Sequence, residues 1–123
     1  MTQRSLRQVY LAETVATIPS TQLVTMLYDR LCRDLTEAEA AIERSDIEAT
    51  NSNLQNAQRI VSELNNALDV DAWEPAKGLR AVYSYVETQL VTANMTKSAA
   101  LVAECRSLIE PLRDTWHEAV SKS

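Results

Sequence analysis

The chain has 123 residues, a net charge of −5, one glycine and three prolines. So few turn formers exclude the hairpin-rich all-β folds, and the length fits one domain with a real core. The acidic balance, without any run of Lys and Arg, excludes a nucleic-acid surface, and no stretch approaches the roughly 20 apolar residues of a membrane span.

The pattern predicts four long helices. Residues 1–20 read as an N-terminal arm or short helix, with Leu6, Val9 and Tyr10 on one side. The arm lacks the apolar run of a signal peptide, which implies a cytoplasmic protein. Pro19 disfavours helix at Ile18, and Ser20 or Thr21 can cap the first long helix. That helix is expected over 21–44, with the stripe Leu23, Leu27, Leu31, Ala38 and Ile42 flanked by Val24, Tyr28 and Leu35. Met26 lies off that stripe.

Asp46 is a good N-cap for a second helix, 46–68, with the stripe Ile47, Leu54, Ala57, Val61, Leu64 and Leu68 and with Ile60 at its edge. After a loop from Asp69, Pro75 suits the first position of a third helix, 75–94. Its stripe at about 100° per residue is Leu79, Val82, Tyr83, Val86, Leu90 and Ala93, which leaves Tyr85 and Val91 outside on opposite sides. Ser98 can cap the last helix, 98–120. That helix reads as Leu101, Cys105, Leu108, Leu112, Trp116 and Ala119, widened by Val102 and Ile109. Pro111 falls on its opposite face, where a bend or a break is expected. Together these give an all-α fold, an antiparallel up-down four-helix bundle with a short N-terminal arm, in a single domain spanning 1–123. Leu31, Leu64, Val86, Leu108 and Leu112 are expected in its core.

Catalytic chemistry is not legible. The one histidine, His117, forms an Asp114-x-x-His117 pair, but a di-metal bundle needs a second such motif and further carboxylates. Cys32 and Cys105 have no histidine to activate them, and both read as reduced thiols. Gly78 stands alone, so no loop cradles a phosphate. Glu37, Glu39 and Glu43 read as a solvated face. The expectation is a binding protein with no catalytic residue, metal or cofactor. Apolar residues beyond the core stripes are its candidate partner contacts: Met26, Tyr28, Ile60, Tyr85, Val91, Val102 and Ile109.

Several stretches in order carry a resemblance. These are Tyr10 with Val15 and Thr17; LVTMLYDRL from Leu23 to Leu31; Ser45-Asp46-Ile47-Glu48-Ala49; and Gln58-Arg59-Ile60-Val61 running on to Leu68-Asp69. Further on come Leu79-x-x-Val82-Tyr83-x-Tyr85 with Leu90 and Ala93-Asn94, and Leu112-Arg113-Asp114-x-Trp116. With these the chain resembles the flagellar export chaperone FliS family along essentially its whole length. Ser45 stands where that family commonly has glycine. The resemblance implies a cytoplasmic four-helix bundle that binds the disordered C-terminal segment of flagellin, prevents its premature polymerisation, and presents it to a component of the flagellar type III export gate. It also implies that Tyr10 lies near the binding surface. Alternatives are a helical adaptor or regulator for another amphipathic segment, and a small helical enzyme.

Overall fold

The computed structural model describes residues 20–69, 71 and 75–121. Four helices make up the fold, and no strand occurs among the described residues. They are α1 (Ser20–Glu43), α2 (Ile47–Ala67), α3 (Pro75–Thr96) and α4 (Ala99–Ser121). The expected N-terminal arm lies outside the described residues. α1 packs on α2 and α4, and α3 packs on α2 and α4; the α3–α4 seam is the lightest of the four. Asp29, early in α1, meets His117, late in α4, and Glu39 meets Arg106. Asn65 of α2 meets Ser84 and Glu87 of α3, and Asn51 meets Lys97.

The ends of the helices follow from local chemistry. Asp46 caps α2 by accepting from the Ala49 amide at 3.0 Å. Ser98 accepts from Leu101 N at 3.2 Å at the start of α4. At the end of α1 the Asp46 amide donates to Ala41 O at 2.8 Å and the Ser45 amide to Ile42 O at 3.0 Å. That is the paired bonding of a Schellman turn, and it puts Ser45 in the left-handed region at φ 59°. A side chain there is strained where glycine is not. Ser45→Gly is therefore expected to raise stability by about 0.5–1 kcal/mol in a denaturant melt, and a loss of stability would contradict this. At the far end of α2, the Arg80 guanidinium donates to Asn65 O at 3.2 Å, which also accepts from the Leu68 amide, and to Leu68 O at 3.1 Å, tying the start of α3 to the end of α2. Pro111 stands inside α4, and the helix runs through it without a break.

The core repeats with alternating steps of three and four residues in every helix. Val24, Tyr28, Leu31, Leu35 and Ala38 are buried in α1, and Leu54, Ala57, Val61, Leu64 and Leu68 along α2. Tyr83, Val86, Leu90 and Ala93 are buried in α3, and Val102, Cys105 and Ile109 in α4. This is the heptad seam of helices that pack at a shallow angle. Two sequence expectations are corrected here. Leu108, read as core, is 36% exposed, and Ile47 is 62% exposed. The rotation of α4 is set by its polar flanks. Arg106 reaches Glu39 on α1, while Glu104 reaches Tyr85 on α3. Cys105 and Ile109 between them must point inward, and Leu108 is left at the α3 edge. Leu31, Leu64 and Val86 are buried, and Leu112 is half-buried against the core.

Tyr28 and Tyr83, both fully buried, share a hydrogen bond between their hydroxyls across the centre. Burial lifts the Tyr28 phenol above its ordinary range, and its bond to Tyr83 partly offsets that. A buried hydroxyl that loses its partner costs more than a paired deletion. Each single change, Tyr28→Phe or Tyr83→Phe, should cost about 1–2 kcal/mol, and the double variant clearly less than their sum. A double-mutant cycle with no coupling would contradict the shared bond.

Candidate functional site

Among the described residues no group of three or more His, Cys, Asp or Glu stands close enough to hold a metal ion. Cys32 and Cys105 are free and buried. Burial pushes the Cys105 thiol up to about 11 and raises that of Cys32, so both favour the unreactive protonated form. His117 is bound to Asp29 at 2.7 Å on the surface between α4 and α1. The acid–base groups thus serve packing and surface pairing. Of two recesses with room for a ligand among the described residues, one of about 510 Å³ is lined by Thr36, Glu39, Ala40, Glu43, Arg44 and Arg106, where Arg106 is already paired with Glu39, and the other is apolar.

A cavity of about 320 Å³ opens between the first turns of α3 and the last turns of α4, lined by Pro75, Leu79, Leu112, Thr115, Trp116 and Ala119. Its walls are almost wholly carbon. Leu79, Leu112 and Trp116 are half-buried and rest on the core, so the cavity is a recess in the bundle wall. Trp116 is held from behind by Tyr28, with ring centroids 6.3 Å apart. One helical turn further along the α4 edge lies Leu108, and opposite it on α3 lie Val82 and Tyr85. The recess therefore lies at one end of the α3–α4 seam, the lightest of the bundle, and forms a groove there.

Further along the same seam stands a polar bridge between α3 and α4. Tyr85 Oη donates to Glu104 Oε1 at 2.5 Å, and Gln89 Nε2 donates to the same oxygen at 3.3 Å. Gln89 also reaches the Tyr85 hydroxyl at 3.3 Å. All three bonds are exposed. The bond from Tyr85 holds the Glu104 carboxyl below its usual range and raises the Tyr85 phenol in return.

The candidate contacts from the sequence separate cleanly. Tyr85 is 44% exposed and stands on the α3–α4 seam, outside the lining of the recess. Met26, 54% exposed, stands on the outward row of α1 with Arg30, Arg33 and Glu37, and Val91, 50% exposed, is on the opposite flank of α3 from Tyr85. Tyr28, Val102 and Ile109 are fully buried and Ile60 is 9% exposed, which corrects the exposure expected of all four. Each follows the heptad seam or touches it, where a strict 100° wheel puts it to one side. Tyr10 lies outside the described residues. Sequence reasoning assigned Leu79, Leu112 and Trp116 to the core and so missed them as groove walls. The signal available was their place at the ends of their helices, where the bundle has fewer neighbours to cover them.

Comparison with known proteins adds a second line of support. The family model described as flagellar protein FliS matches residues 1–123. The chain is 33% identical over 111 residues to the flagellar secretion chaperone FliS of Bacillus subtilis strain 168, covering 90% of this chain and 83% of that protein. It is 28% identical over 115 residues to the protein of the same name from Escherichia coli strain K12, covering 92% and 85%. With the Salmonella typhimurium strain LT2 protein of that name it shares 27% identity over 118 residues, covering 94% and 87%.

Proposed function

The chain belongs to the FliS family, chaperones rather than enzymes, and from that premise we propose that it is a cytoplasmic export chaperone for flagellin. In this reading it binds the disordered C-terminal segment of flagellin, prevents premature polymerisation, and delivers the subunit to a component of the flagellar type III export gate. The observation that carries the reading is the carbon-lined groove between α3 and α4. A cavity so poor in polar groups has nothing with which to do chemistry. It can take the apolar side of an amphipathic segment.

The magnitudes are consistent. Ordering a disordered segment costs about 2–5 kcal/mol, and each aliphatic side chain moved from water into the groove contributes about 1.5–3 kcal/mol. Two or three anchors offset the ordering cost, and the rest of the affinity comes from contacts that continue around the bundle. The antiparallel up-down arrangement belongs to the same proposal, as does the chain's being one domain; the Asp29–His117 and Glu39–Arg106 pairs support the first. Tyr85 takes part from the seam beyond the recess. Met26 and Val91 are secondary contacts for a segment that continues around the bundle, and Tyr10 brings the N-terminal arm near the same surface. No helix among the described residues is long and apolar enough to cross a membrane, which agrees with a cytoplasmic site of action.

The test is calorimetric titration with the C-terminal peptide of flagellin from the source organism. A one-to-one complex with Kd near or below about 1 µM, about −8 kcal/mol, is expected. Absence of binding at 100 µM peptide would reject the proposal.

A further inference from the structure

Resting on that reading of the groove, we propose that Tyr28 is a positioning residue for the recess: it touches no bound segment, but by holding the Trp116 ring from behind it fixes the wall against which the segment's apolar anchors pack. Its hydroxyl thereby ties the Tyr28–Tyr83 bond at the centre of the bundle to the affinity of a site on the surface.

The argument starts from the lining of the recess, where Trp116 carries the largest side chain. Two of the lining side chains have a polar group. Thr115 spends its hydroxyl on Pro111 O at 3.0 Å, one turn back along α4. Trp116 has a single donor, the indole N–H, and no acceptor. A half-buried indole pairs that donor or turns it to water. Here the ring rests on Tyr28, which has no exposed surface; their centroids are 6.3 Å apart and their planes tilted by 36°. Burial raises the Tyr28 phenol, and hydrogen bonds from Tyr83 and from the Trp116 indole partly offset the rise. A phenolic oxygen accepts and donates at once. Tyr28 is therefore the shared member of a chain, indole to phenol to phenol, that runs from the recess wall into the core. The adjacent residues Asp29 and His117 pair at 2.7 Å on the surface. That pair fixes where α4 lies on α1 and leaves the setting of the indole to Tyr28. Without the Tyr28 oxygen the indole N–H faces carbon, while the recess that Trp116 lines opens to water. Rotation toward that opening fills space that a segment needs.

Two substitutions of matched chemistry test this with the flagellin C-terminal peptide. Tyr28→Phe and Tyr83→Phe delete the same buried hydroxyl bond, so a purely structural role moves affinity alike in both. Under the proposal Tyr28→Phe loosens the peptide by about threefold or more. Tyr83→Phe leaves the Tyr28 oxygen to accept the indole N–H, and changes affinity by less than about 1.5-fold. In a Trp116→Phe background, with no N–H to place, Tyr28→Phe has no further effect on affinity. A second readout needs no peptide. Hydrogen exchange at the Trp116 indole N–H, assigned by the loss of its resonance in Trp116→Phe, is slowed at least about tenfold from a free indole in the wild-type chain. It stays slow in Tyr83→Phe and accelerates in Tyr28→Phe. Equal loosening by the two variants, wild-type affinity in Tyr28→Phe, or an indole that exchanges alike in both overturns the proposal. Failure of the groove reading looks different. There the wild-type protein binds no peptide, or Ala119→Asp, in the lining of the recess, binds as wild type, while indole exchange still separates Tyr28→Phe from Tyr83→Phe.

Discussion

Replacing Ile109 with alanine is expected to cost about 2–5 kcal/mol of stability, while the same change at its neighbour Leu108 costs less than about 1. Both are branched aliphatic residues on one helix, and a pattern read at 100° per residue favours Leu108. The structure buries Ile109 fully and leaves Leu108 36% exposed at the α3 edge. Ile109 is closed in by the bundle, so truncation leaves a void that the packed neighbours fill only in part. Leu108 opens on the α3–α4 seam, where water refills the space. Urea melts of both variants with unchanged m-values decide the matter. A greater loss at Leu108 than at Ile109 would show that α4 is rotated by one position. In that case Glu104 and Arg106 could not face α3 and α1 as described.

The second large effect is on binding. Ala119→Asp and Leu108→Asp each place a carboxylate at an exposed position, one in the recess and one further along the seam. Each should weaken the flagellin peptide by more than tenfold, about 1.4 kcal/mol, with a cooperative melt retained. Tenfold is a modest demand, since a buried apolar contact is exchanged for an unpaired charge. Val91→Asp, on the other flank of α3, should lose a smaller factor. Ile60→Asp should fail to fold, because that side chain is 9% exposed and packs in the core cluster. If Ala119→Asp and Leu108→Asp fold and bind at wild-type affinity while Val91→Asp does not, the segment lies on the α2 side of α3.

The helices were legible in the sequence because their punctuation is chemical. Asp46, Pro75 and Ser98 mark starts through properties of their own side chains, and the structure uses all three there. The burial pattern was less legible, and for a definite reason. Shallow packing imposes a repeat of seven residues over two turns, and an ideal helix drifts from it by about 20° per heptad. Over three turns that drift turns an edge residue into a core residue. In α4 the pairs Leu101–Val102 and Leu108–Ile109 are both apolar, so hydropathy alone could not choose between them; the ion pair of Arg106 with Glu39 did. Tyr28 shows the same drift on α1, and its hydroxyl finds Tyr83 in place of a partner protein.

The groove was the least legible feature. Leu79, Leu112 and Trp116 look like core in any one-helix reading. Only the light contact along the α3–α4 seam leaves them open on one side. A groove is a property of two helices, and periodicity describes one at a time. The motif order that resembles FliS reached the family by another route, since LVTMLYDRL and Leu79-x-x-Val82-Tyr83-x-Tyr85 contain core and groove residues together.

The most direct test of the central claim is amide and methyl chemical-shift mapping of the isotope-labelled chain during titration with the flagellin C-terminal peptide. If the peptide occupies the α3–α4 groove, the largest shifts will fall on Leu79, Tyr85, Leu108, Leu112, Thr115 and Ala119, with the outward row of α2 from Glu48 to Glu63 unmoved. Largest shifts on α2, or on the outward face of α1 around Arg30 and Arg33, with the groove residues unmoved at saturation, would contradict it.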